Sequence, residues 1–289
     1  MRGKAGLNAI PLTEIDKFYV YPYYYMNELP FFNLLKQDLF HKKCTNLLYF
    51  GPPIFKNGVF DALNKYLLNL DVMKRKFNDE LFILLYIDKL DHRGHGSGFG
   101  SDIWKKTLIY IDRKLSNLYR FLKSINIEFN FVIFSDHGIC NINETVNLSK
   151  YMRMEGLSWK NMIYLIDATI ANLWFNDDSS KRKFSKILNV LGKDKVLYFD
   201  KYEDKDVLRE YGVNFTDDRY GDVILQTRPG IMFFPNHYSE LKPFKGAHGF
   251  SPKESVQNAF VTLQMNSEKN MSIRPRHISD VWRIIWSLV

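Results

Sequence analysis

Three short stretches of this chain combine metal-ligating residue types with glycine: Asp91-His-Arg-Gly-His95, Ser135-Asp136-His137-Gly138 and Gly246-Ala-His248-Gly249. Asp oxygen and His nitrogen are the donor set that zinc and similar divalent cations take together. In the first stretch a carboxylate and an imidazole lie four residues apart, so one turn of chain can bring both to one cation. Asp88 and His92 repeat that spacing, but Gly94 before His95 and Gly96 and Gly98 after it favour Asp91 and His95. In the second stretch, adjacent Asp136 and His137 point in different directions, so they can serve one metal or reach toward two. A single histidine such as His248 is more often packed or on the surface, but here glycines on both sides set it in a polar turn. Three such stretches in a chain of only seven histidines argue against coincidence.

Those residues need elements to present them. Leu81–Ile87 and Phe129–Phe134 are short, continuous apolar runs, the pattern of strands buried in a parallel sheet. The first two stretches follow directly on them. After the glycine-rich segment, Trp104, Leu108, Ile111, Leu115, Leu118 and Leu122 step at helical spacing, with Ser101 as N-cap. Strand, helix, strand in this order predicts a βαβ unit with a right-handed crossover. Residues 150–220 separate the second stretch from the third. They read as an insert or cap with strands over Met162–Ile166 and Ile170–Phe175 and a helix over Ser180–Leu191. Asp222–Gln226 and Ile231–Phe234 read as a strand pair split by the turn signal Arg228-Pro229-Gly230. Val59–Leu70 and Ile278–Leu288 carry helical patterning. The tyrosine-rich first 50 residues read as loop and short helix packed on a core.

Bulk properties narrow the function. The 289 residues, 46% hydrophobic, suffice for one α/β domain spanning 1–289 with the insert inside it. No uninterrupted apolar run is long enough to span a bilayer, and residues 1–16 carry no apolar leader, so the expectation is a cytoplasmic protein off the membrane. The formal charge of +8 suits anionic ligands. Its lysines and arginines are scattered, without a basic stripe interleaved with aromatics, which argues against nucleic acid as a partner. Cys44 and Cys140 form no disulfide framework, and Cys140, three positions beyond His137, reads first as a small core residue and otherwise as one placed near the candidate ligands.

The ordered set resembles the alkaline phosphatase superfamily, most closely its type I phosphodiesterase/nucleotide pyrophosphatase branch. The resemblance rests on Tyr86-Ile-Asp-Lys-Leu-Asp91-His-Arg-Gly-His95, Phe134-Ser-Asp136-His137-Gly138 and Gly246-Ala-His248-Gly249-Phe250, with Arg219-Tyr-Gly-Asp222 upstream of the last. It implies an α/β fold with a mostly parallel sheet flanked by helices, and a metal-dependent hydrolase of phosphate esters, with phosphodiesters first. It also implies two divalent ions, zinc or else manganese. Carried over residue by residue, Asp91, His95 and His248 would hold one metal and Asp136 and His137 the other. The family pattern further includes an N-terminal strand ending in Asp-Gly and a Thr or Ser nucleophile, and neither is legible here. Thr13, Thr45 and Ser97 lie in no matching context, so no nucleophile is assigned. The resemblance therefore implies a fold incomplete at its N-terminus, a weak second metal site, and a sheet edge open to a partner chain or self-association. The alternative it leaves is a truncated, inactive metal-binding or scaffold protein of the same fold.

Overall fold

In a computed structural model, the structure describes residues 46–50, 60, 63, 81–125, 128–211, 213, 220–264, 276, 280–281 and 283–285. The chain divides into two compact units. One is built from residues 91–104 and 137–259, the other from the described residues of 20–90, 105–136 and 260–289.

In the second unit, strand β1 (Asn46–Phe50) pairs in parallel with β2 (Leu81–Leu85), Asn46 opposite Leu81 and Phe50 opposite Leu85. Strand β3 (Phe131–Phe134) pairs antiparallel with β12 (Val261–Gln264). The order strand, helix, strand is therefore present, but among the described residues β2 and β3 share no ladder. Each takes a partner distant in sequence, because an apolar run specifies a strand without specifying its neighbour. Both are also half-buried rather than sealed, with Phe134 exposed at the end of β3.

Helix α1 (Lys89–Ser97) begins four residues after β2 ends, where the sequence suggested a glycine-rich loop. A glycine in a helix interior costs roughly 1 kcal/mol relative to alanine. At Gly94 the missing side chain permits a close approach: an added Cβ would lie 2.5 Å from Ile139 Cδ1. Gly98, at φ +90°, ends the helix, and its N–H donates to Gly94 O at 2.9 Å. Helix α2 (Asp102–Ser124) follows, with Ser101 Oγ accepting from the Trp104 N–H at 3.3 Å as its N-cap. Thr107, Ile111 and Leu118 are buried along α2 and Leu115 and Leu122 partly so, while Leu108, read as part of that stripe, is exposed.

The first unit is organised around a four-stranded antiparallel sheet in the order β6 (Met162–Asp167), β7 (Ile170–Phe175), β9 (Val223–Thr227), β8 (Val196–Asp200). Helix α4 (Asp178–Leu191), capped by Asp177 accepting from the Ser180 N–H, packs Phe184, Ile187 and Leu191 onto Met162, Leu173, Val196 and Leu225. Helix α3 (Leu148–Met154) adds Leu148 and Met152 to that core, and α5 (Lys205–Glu210) places Leu208 against Phe199 and Ile224 on the other sheet face. The Arg228-Pro229-Gly230 turn forms, with the Ile231 N–H donating to Arg228 O at 3.1 Å. Its flanking strands do not pair with each other: β9 joins the sheet, and β10 (Ile231–Phe233) runs parallel to β5 (Glu144–Val146). The short strand β11 (Gly246–Ala247) pairs antiparallel with β4 (Cys140–Asn141), bringing the third glycine stretch beside the chain that follows His137.

The tyrosine cluster, Cys44, most of Val59–Leu70 and Arg219 lie outside the described residues. Phe60 and Leu63 are helical and buried, as are Val281, Ile284 and Ile285 near the C-terminus. No helix among the described residues is long and apolar enough to cross a membrane.

Candidate metal centre

Asp91 and His95 stand one helical turn apart on α1, so both side chains leave the same face. Asp91 Oδ1 lies 3.4 Å from His95 Nε2 and 3.7 Å from His248 Nε2, which arrives from the turn after β11. One ligand atom from each of Asp91, His95 and His248 falls within 4.8 Å of the other two. Among the described residues no other cluster of three Asp, Glu, His or Cys side chains has this geometry. His92 is exposed, and neither it nor Asp88 joins the cluster.

The proton positions follow from the partners. His95 Nδ1 lies 2.8 Å from Gly246 O, and a carbonyl only accepts, so Nδ1 carries the proton and donates it. In the neutral ring Nε2 then keeps its lone pair, turned toward Asp91. His137 has the same arrangement, with Nδ1 donating to Gly138 O at 2.9 Å. Fixing the tautomer through a backbone carbonyl is how metal-ligating histidines are commonly oriented. Asp91 Oδ1 is itself buried and has no hydrogen-bond donor. A buried carboxylate oxygen facing imidazole nitrogens needs a positive charge between or upon them. Either a proton on Nε2 or a divalent cation supplies it, so the donor set fits a metal such as zinc.

The titration behaviour agrees. Burial works to raise the Asp91 carboxyl, but its pairing with His95 and the charges of His95, His248 and His137 hold it below the usual carboxylate value. Burial works to lower the His95 imidazole, and the Asp91 contact and charge, with the Gly246 carbonyl, hold it above its ordinary 6.5.

His137 stacks on His248, ring centroids 3.7 Å apart and planes within 20°. Its place is set by the next residue: the Gly138 N–H donates to Gln257 O at 3.2 Å, and a Cβ at Gly138 would lie 2.2 Å from Val256 O. Asp136 is an exposed residue two positions beyond β3 and ends the 105–136 stretch of the second unit, while His137 opens the next stretch of the first. Ser97 ends helix α1, and Thr13 and Thr45 lie outside the described residues. No motif or patterning pointed to Thr169, Gln226 or Gln257, which the fold gathers around the His248 turn.

Comparison with known proteins adds to this geometry. The model of the type I phosphodiesterase/nucleotide pyrophosphatase family matches residues 14–251. An ectonucleotide pyrophosphatase/phosphodiesterase of Caenorhabditis elegans is 27% identical over 202 residues, 67% of this chain and 22% of that protein. Human ectonucleotide pyrophosphatase/phosphodiesterase 5 superposes with a TM-score of 0.58 at 20% identity, covering 73% of this chain and 54% of the solved one. An inactive variant of the murine counterpart, solved in complex with AMP, gives the same TM-score and coverage at 17% identity. The structural likeness is one of fold, the mixed α/β architecture of alkaline phosphatase relatives. The chain spans about half the length of these solved relatives and under a quarter of the nematode protein.

Proposed function

Because the chain belongs to the type I phosphodiesterase/nucleotide pyrophosphatase family, a branch of the alkaline phosphatase superfamily, we propose that it is a metal-dependent hydrolase of phosphate esters, phosphodiesters of the nucleotide class first. Asp91, His95 and His248 hold one divalent cation in this reading, and Asp136 with His137 contributes to a second. Zinc is the cation we favour on the mixed His and Asp donor set, with manganese the other choice. Residues 150–220 form an insert within one such domain. The observation that carries the reading is the buried, donor-free Asp91 Oδ1 set between His95 and His248.

When bound at such a centre, a divalent cation polarises phosphoryl oxygens and steadies charge on the leaving oxygen. The chain's own part is positioning. Gly246 O orients His95, Gly138 O orients His137, and Asp91 keeps Oδ1, the oxygen that faces the imidazoles, out of water. The net charge of +8 favours approach of an anionic ester. AMP in the murine relative supports a nucleotide-bearing ester as the first substrate to try.

The test is hydrolysis of a chromogenic phosphodiester before and after chelation. We expect activity to disappear with chelator, to return with zinc, and to be absent in His248→Ala. Hydrolysis at full rate after metal removal would sink the proposal. A metal-loaded protein without turnover would favour the inactive metal-binding alternative.

A further inference from the structure

We propose that Thr169, at the tip of the hairpin joining β6 to β7, is a positioning residue for His248. The segment 150–220 would then set the reach of a metal ligand that it does not itself supply. This rests on His248 being a ligand, and adds to that reading the device that aims it.

His248 follows a two-residue strand and precedes Gly249 at φ +83°, so no helix or long ladder fixes it. Hydrogen bonds from elsewhere do. Thr169 Oγ1 lies 2.9 Å from His248 O and 3.0 Å from Gly249 O, so its single proton is shared between two consecutive carbonyls. Gln226 Nε2 on β9 donates to the same Gly249 O at 3.1 Å, and the Gly249 N–H donates to Gln257 Oε1 at 2.8 Å. Glycine at 249 is what lets the hydroxyl come this close, since a Cβ there would lie 2.8 Å from Thr169 Oγ1.

Thr169 is itself held. Its carbonyl accepts from the Thr227 N–H at 2.9 Å and from Thr227 Oγ1 at 3.3 Å. The preceding Ala168 O accepts from the Phe233 N–H at 2.7 Å. Ala168 adopts φ +25°, a left-handed conformation that a non-glycine residue keeps only where its surroundings over-determine it. Both turn residues are buried, Thr169 at 3% exposure. A two-residue turn that is buried, strained and tied to two other strands is a rigid post. Its one hydroxyl is aimed at the backbone of His248. Partners hydrogen-bonded to a ligand's own side chain commonly change metal affinity ten- to a hundredfold when lost; a hydroxyl acting one step further back, on the ligand's backbone, is expected at the lower end of that range.

Wild type, Thr169→Val, Thr169→Ser and His248→Ala, each as the full chain with folding checked by circular dichroism, are titrated with zinc against a chromophoric chelator and with cobalt by visible absorption. We expect T169V to weaken zinc about tenfold and to alter the cobalt bands, with T169S within about twofold of wild type. Wild-type affinity and cobalt spectrum in T169V, even with lowered thermal stability, would overturn the inference by making Thr169 purely structural. If T169V does not fold, Thr169→Ala removes the same hydroxyl without placing a second methyl against the His248 and Gly249 carbonyls, and wild-type affinity and cobalt spectrum there overturn the inference equally. If His248→Ala binds metal as wild type does, the ligand reading fails and this inference falls with it.

Discussion

At the residue scale the centre turns on Asp91. Its inner oxygen is buried without a donor and faces two imidazole nitrogens, so a carboxylate beside neutral imidazoles is unsatisfied until a positive charge arrives. Asp91→Asn keeps the shape and removes the charge. Zinc affinity should then fall at least about a hundredfold, read by chelator competition, because a ligand matters more than the groups behind it. Protons compete for the same place. The folded-state value of His95 is raised, so its protonated form is favoured, and stabilises the metal-free fold, below the ordinary value, with that contribution lost as pH rises through the raised one. Metal affinity should therefore climb with pH through this window, and a pH-independent affinity would count against His95 as a ligand. Asp167 titrates in the same sense as His95, its folded-state value also raised. Burial raises its carboxyl to about 6, against a hydrogen bond from Tyr238 that lowers it. The folded state then binds a proton more tightly than the unfolded chain, and stability falls as pH rises from about 4 to 6. Asp167→Asn should raise the urea-unfolding free energy at pH 7 by on the order of 2 kcal/mol and by little at pH 4. Asp91, His95 and His248, which the fold brings together, were legible as candidates because each lies in a short motif that contains glycine. Thr169 and Asp167 were not, since one hydroxyl or carboxyl at a hairpin tip acquires its role only from the strands folded around it.

At the scale of elements, glycine is the discriminating residue. Gly138 sits where a Cβ would strike the Val256 carbonyl at 2.2 Å, and backbone cannot step aside as a side chain can. Gly138→Ala should cost at least about 2 kcal/mol and disturb His137 with it. Gly96 lies exposed in α1 with no heavy atom within 4 Å of an added Cβ. Gly96→Ala should stabilise by about 0.5–1 kcal/mol, by restricting the unfolded chain and favouring helix. Thermal melting of the two variants should move in opposite directions. Element identity was largely readable: the strands at Met162 and Ile170, the helix ending at Leu191 and the Ser101 cap all stand near where patterning put them. Pairing was not. Apolar runs carry no record of their neighbours, so β2 and β3 separate to different partners and the strands around Arg228-Pro229-Gly230 part company. Helix α1 was hidden for a different reason. Its two glycines argue for a loop by propensity, and only contact with Ile139 explains the one at 94.

For the whole molecule, family membership and fold stand on a match over residues 14–251 and on superposition with solved relatives. The proposed chemistry stands on one cluster, whose candidate ligands come from a helix near residue 91 and a turn near 248, brought together by the fold from more than 150 residues apart. Long-range convergence of that kind was suggested by the order of the motifs but could only be realised by the intervening sheet. The most direct test is equilibrium zinc binding to the full chain, wild type beside His248→Ala. The account predicts saturable binding in the wild type that His248→Ala weakens at least about a hundredfold. Equal zinc binding by the two proteins, or none by the wild type, would contradict it.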